Sequence, residues 1–125
     1  MVLNKPWIEA SDGTLGRLPG ALGVFELRSA AGEINFVGFA GGRSRYGLRS
    51  AIKDSMEQLR AAGDGPDAFR YEVNQMYLTR YIEVLEKYIH AAGDIPPGNK
   101  ADGVYLPNVI RHKLARISLA HGGTL

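Results

Sequence analysis

At 125 residues the chain is long enough for one domain with a buried core, and its 45% hydrophobic and 22% charged residues match a soluble globular protein. The absence of cysteine excludes a disulfide framework, a thiolate metal site and a cysteine nucleophile, and fits a reducing compartment. The opening MVLNKPWIEASDG lacks the apolar stretch of a secretory leader, and no apolar run approaches the ~18 residues of a membrane span, so the expected setting is the cytoplasm with no membrane partner.

A net charge of +2 does not by itself call for a polyanion, but the charges are segregated. Arg43, Arg45, Arg49, Lys53 and Arg60 face only Asp54 and Glu57 over residues 43–60, and Arg111, Lys113 and Arg116 meet no acid over residues 107–125. The stretch 67–94 between them is acidic. This pattern allows either a polyanion surface beside a carboxylate site or an ordinary solvated exterior.

Residues 1–20 read as a weakly structured lead-in, anchored by Trp7 and Ile8 and broken by turn signals at Ser11-Asp12-Gly13 and Pro19-Gly20. Leu22 to Arg28 alternates with period two, as a half-buried strand does. After the turn Ser29-Ala30-Ala31-Gly32, a second strand runs from Glu33 to Phe39, and the short connection makes an antiparallel hairpin. Gly41 and Gly42 end it. From Tyr46 or Gly47 to about Ala62 the period turns helical, with Leu48, Ile52, Met56 and Leu59 in one stripe and Arg49 and Lys53 on another face.

Phe69 to Asn74 forms the third strand, and Asn74 is placed to cap the next helix, whose expected buried stripe is Leu78, Ile82, Leu85 and Ile89. Tyr77, Tyr81 and Tyr88 recur at helical spacing and read as packing residues. Gly93 and Pro96-Pro97 stop that helix near Ala92. A loop follows, and a last amphipathic helix starts at Leu106-Pro107, with Ile110, Leu114 and Ile117 on one side, and ends near His121. The expected architecture is α+β, a small three-stranded antiparallel sheet flanked by helices in the order β-β-α-β-α-α, in a single domain over 1–125.

Gly23-Val24-Phe25 on the first hairpin strand, Phe36-Val37-Gly38 on the second, Arg49 on the next helix and a glutamate-bearing helix after the third strand together resemble the GIY-YIG nuclease domain, over about Leu22 to Asn99. Pro97 and Asn99 resemble the proline and asparagine that often close that domain, after a longer loop here. The resemblance implies metal-assisted phosphodiester cleavage: a tyrosine at each strand motif, an arginine on the scissile phosphate, a histidine or tyrosine one helical turn later, and a glutamate holding one Mg²⁺ or Mn²⁺.

Matched position by position, Arg49 is the arginine and Glu86 the best candidate for the metal glutamate, with Glu83 the other. Both motif tyrosines are phenylalanine, Phe25 and Phe36; Phe39 stands where some members carry lysine, and Lys53 fills the histidine or tyrosine slot. Phenylalanine can neither exchange a proton nor orient water, and lysine is a poor base near neutral pH unless its pKa falls far. Proton-transfer groups are therefore missing while phosphate-binding groups remain. Tyr46 or Tyr71 could restore a hydroxyl, and Glu86 with His90, four residues apart on one helix, could share a metal.

Three readings follow. The leading one is a catalytically degenerate GIY-YIG-like domain that binds DNA or RNA through Arg43, Arg45, Arg49 and Lys53. The second is an active divalent-metal-dependent endonuclease using Arg49, Lys53, Glu86 and a relocated tyrosine such as Tyr46. The third is a non-catalytic interaction module or oligomer, with the basic helix around Arg111 to Arg116 meeting a partner.

Overall fold

The computed structural model describes residues 3–120. Its elements are β1 (Ile8–Glu9), α1 (Asp12–Gly16), β2 (Gly23–Ser29), β3 (Ile34–Ala40), α2 (Leu48–Ala61), β4 (Pro66–Val73), α3 (Tyr77–Ala92), a 3₁₀ turn (Pro97–Lys100) and α4 (Asn108–Ala120). The α+β class holds, but the sheet has four antiparallel strands in the order β1-β4-β2-β3 rather than three.

The extra strand comes from the lead-in, which is structured. Ile8 and Glu9 pair with Phe69 and Ala68, and Ser11 and Thr14 form a reciprocal cap on α1: the Thr14 N–H donates to Ser11 Oγ at 3.1 Å, and the Ser11 N–H donates to Thr14 Oγ1 at 2.8 Å. A two-residue strand and a single helical turn are too short to show a period, which is why the sequence pattern passes over both.

β2 lies in the middle of the sheet and is buried on both faces, not half-buried. Phe25 and Leu27 pack with Leu48, Ile52 and Met56 of α2. Val24 points the other way, into a core with Val37, Val84, Leu85 and Ile89. Helix α2 therefore covers one face of the sheet, while α3 and α4 cover the other.

Glu26, on the α3 side of β2, is buried because Arg70 stands opposite on β4, its Nε 2.8 Å from the carboxylate. Trp7 lies over the Arg70 guanidinium with 4.1 Å to its ring centroid, so the N-terminal segment roofs the pair. Burial pushes the Glu26 carboxyl above its ordinary range, against the pull of Arg70.

Three local expectations are corrected. β4 begins at Pro66 instead of Phe69, a proline being acceptable as the first residue of a strand. Asn74 does not cap α3. Its Oδ1 accepts from the Met76 N–H at 2.8 Å, turning the chain just ahead of the helix, which starts at Tyr77. The buried stripe of α3 is Tyr81, Val84, Leu85 and Ile89, with Ile82 partly buried and Leu78 exposed, because the Tyr81 ring packs under Phe39 at 4.8 Å and sets the helix rotation. α4 begins at Asn108 directly after Pro107, buries Ile110 and is described to Ala120; His121 lies outside the described residues. No described helix is long and apolar enough to cross a membrane.

Candidate nucleic-acid interface

The chain between β3 and α2 makes two tight turns, the Ser44 N–H donating to the Gly41 carbonyl at 3.0 Å and the Gly47 N–H to the Ser44 carbonyl at 3.1 Å. Gly47 has φ +56°, and a β-carbon there would lie 2.5 Å from the Ala21 backbone, so only glycine lets the chain enter α2 against residue 21. These turns present Arg43, Arg45 and Tyr46 to solvent and place Arg49 and Lys53 on the exposed first turns of α2.

Tyr46, Arg49, Ser50, Lys53, Asp54 and Glu57 line one shallow groove of about 300 Å³. Arg49 is anchored at its lip, its Nε donating to the Leu18 carbonyl at 2.9 Å, and the Arg45 guanidinium rests on the Tyr46 ring, 5.5 Å from its centroid. Among the described residues none of Arg43, Arg45, Arg49 and Lys53 forms an ion pair, although Asp54 and Glu57 share the groove. The cations elsewhere that do pair include Arg28 with Asp67, Arg80 with Glu72 and Glu83, and Lys100 with Asp94.

The residues matched to a cleavage site are not gathered at one place. Phe25 is buried in the α2-side core, its ring 6.0 Å from that of Phe36. Arg49 and Lys53 lie on α2, whereas Glu86 lies on α3, across the sheet, where its carboxylate meets Lys113 of α4 at 3.5 Å. Glu83 pairs with Arg80, and no cluster of three metal-binding side chains occurs among the described residues. The donor set around Glu86 does not fit a divalent metal: a lone carboxylate already facing an ammonium group offers no cage. Tyr71 is stacked beside Phe69 at 6.4 Å on the α2 side of the sheet and does not line the groove that holds Arg49.

Phe25 and Phe36 line a second cleft, about 250 Å³, together with Gly38, Phe39, Tyr81 and Tyr105. One tyrosine hydroxyl does reach this region. Tyr81 donates to the Tyr105 carbonyl at 2.7 Å, and burial, only partly offset by a hydrogen bond with Asn99, pushes its pKa up to about 12. Its proton is held near neutral pH, so it orients the 105 loop and cannot act as a base.

Pattern reading missed Tyr105, a half-exposed tyrosine in a loop with no period to mark it. The signal available was its position in a turn-rich stretch, Asp102-Gly103-Val104-Tyr105, where an aromatic side chain has no core to fill.

These features define a four-stranded α+β domain with a basic loop and helix start beside an aromatic cleft. The chain belongs to the family described as a domain of unknown function, DUF7508, whose family model matches residues 1–89. The match takes in the sheet, the basic loop and most of α3, and stops before Asn99 and Tyr105. Searches of curated proteins and of solved structures return no match.

Proposed function

We propose that this chain is a GIY-YIG-like domain without cleavage activity that binds nucleic acid through Arg43, Arg45, Arg49 and Lys53, and that it works in the cytoplasm. The observation that carries the reading is that these four cations, on one continuous loop and helix start, are exposed and form no ion pair among the described residues. Unpaired guanidinium groups on a turn can follow a phosphate backbone at little desolvation cost, and releasing its counterions supplies the binding free energy. The case against catalysis is chemical. Phe25 and Phe36 carry no hydroxyl, the Tyr81 proton is committed to a carbonyl, and Glu86 stands on the far side of the sheet from Arg49.

A mobility-shift titration across salt tests the reading. Affinity should fall as salt rises, and the Arg43→Ala/Arg45→Ala variant should show a slope smaller by about 1–2, since each neutralised phosphate contributes ~0.7–0.9. Failure of the wild-type protein to shift DNA or RNA at low salt would refute it.

A further inference from the structure

A third cleft, about 310 Å³, opens directly beside the basic loop. Its walls are Phe39 at the end of β3, Gly41 and Arg43 in the loop, Tyr77 and Leu78 at the start of α3, and Tyr105. Phe39 and Tyr77 lie nearly parallel, 5.8 Å between centroids and 12° between planes, and Tyr105 stands at 78° to Phe39, 6.2 Å away. A β-carbon on Gly41 would come within 3.0 Å of the Tyr77 ring, so the bare glycine backbone lets the loop lie against that ring. No carboxylate lines the cleft, and Phe39 and Tyr105 continue it into the neighbouring space over Phe25 and Phe36.

Phe39 and Tyr77 are partly buried while Tyr105 is exposed, and apolar ring surface left in water is unfavourable. Tyr105 is 53% exposed and Leu78 42%. What fits is a flat, polarisable group attached to an anion: the rings supply π-faces and Arg43 on the lip supplies positive charge. A duplex hides its base faces within the stack; an unpaired nucleotide offers one. The volume is that of the smaller ligand sites, which span ~300–1,000 Å³.

We infer that this cleft takes an unpaired base of a single-stranded nucleic acid, stacked on Tyr105 beside the Phe39–Tyr77 pair, while Arg43 and Arg45 hold the adjoining phosphates. The inference rests on the nucleic-acid reading above and adds a preference for single strands to it. Tyr105 is the stacking platform, Tyr77 closes the back of the cleft, and the fixed bond from the Tyr81 hydroxyl to the Tyr105 carbonyl holds the platform in place.

Three fluorescently labelled probes of equal length decide the matter by anisotropy: an oligothymidylate strand, the same strand with abasic sites, and a duplex. The wild-type protein should bind oligothymidylate more tightly than the other two. Tyr105→Ala should weaken oligothymidylate binding by about 5- to 150-fold, the range expected for losing one stacked base, and leave abasic and duplex binding unchanged. Tyr105→Phe should bind like wild type. The alanine variant keeps the backbone carbonyl that Tyr81 uses, and circular dichroism checks that it folds. Arg43→Ala/Arg45→Ala should weaken all three probes. If the wild type binds all three alike, or Tyr105→Ala leaves oligothymidylate binding intact, the base cleft is refuted while the phosphate-binding reading stands. If the wild type binds none of them at low salt, both fall.

Discussion

The carboxamide of Asn99 holds the backbone of Val37 at both ends: its Oδ1 accepts from the Val37 N–H at 2.9 Å, and its Nδ2 donates to the Val37 carbonyl at 2.8 Å, across 62 residues of chain. β3 is an edge strand, so its outward backbone groups would otherwise stand open to another strand. Asn99 instead satisfies the N–H and C=O of a fully buried residue and fixes the 3₁₀ turn against the sheet. A planar carboxamide, with its acceptor oxygen and donor nitrogen side by side, matches the N–H and C=O of one residue.

Asn99→Ala strands both groups of Val37. Each buried unsatisfied group costs about 1–3 kcal/mol, so with two of them the variant should lose roughly 2–6 kcal/mol in urea denaturation. Asn99→Asp keeps an acceptor, loses the donor and sets a carboxylate against the Val37 carbonyl, so it should be at least as destabilised. If Asn99→Ala unfolds at the wild-type urea midpoint, the clamp contributes nothing.

Gly38 permits the aromatic pair at the hairpin. A β-carbon at that position would lie 2.4 Å from the Phe25 ring and 2.7 Å from the Phe36 ring. Gly38→Ala should therefore cost about 1–3 kcal/mol by overpacking. Adding Phe25→Leu should recover part of that loss, because the two sites share one space and their effects should not add. Strict additivity in the double-mutant cycle would show that the rings are not what the glycine accommodates.

The α+β class, the hairpin, the α2 stripe and the lengths of the main helices were legible because each has at least seven residues in which to display a period. Glu26 reads as an outward residue of a half-buried strand, yet it is buried, because only the pairing with β4 brings Arg70 opposite it. Sequence could propose Arg43, Arg45, Arg49 and Lys53 as a group, since they are neighbours in the chain. It could not show that Arg49 and Glu86 lie on opposite faces of the sheet, which depends on how α2 and α3 cross over it. The cleft of Phe39, Tyr77 and Tyr105 was equally hidden, since its three rings come from a strand, a helix and a loop far apart in the chain.

Restoring the motif hydroxyls alone should not create a nuclease. Phe25→Tyr/Phe36→Tyr places phenols beside the α2-side core while Glu86 stays paired with Lys113 beyond the sheet. Supercoiled plasmid incubated with this variant and Mg²⁺ or Mn²⁺ should remain uncut. Nicking by the variant that disappears when Glu86→Ala is added would mean that the carboxylate does reach the reacting phosphate, and the non-catalytic reading would then be wrong.

The buried Glu26–Arg70 pair gives a pH-dependent prediction. Removing the cation with Arg70→Met leaves a carboxylate buried without a partner, which should cost about 3–5 kcal/mol near neutral pH. Glu26 already titrates above its ordinary value of 4.5 because burial outweighs the attraction of Arg70, and losing Arg70 must raise it further. A carboxyl whose folded pKa is raised binds a proton in the folded state before it does in the unfolded one. Its stabilising contribution is therefore fully present below 4.5 and is lost as pH rises through the folded pKa. The deficit of Arg70→Met relative to wild type should accordingly shrink as pH is lowered from neutrality toward 4.5. Adding Glu26→Gln should make the deficit nearly independent of pH over the same range, because the titrating group is gone. Urea midpoints measured across the range check both statements, and a pH-independent deficit in the single variant would show that Glu26 is not the group that responds.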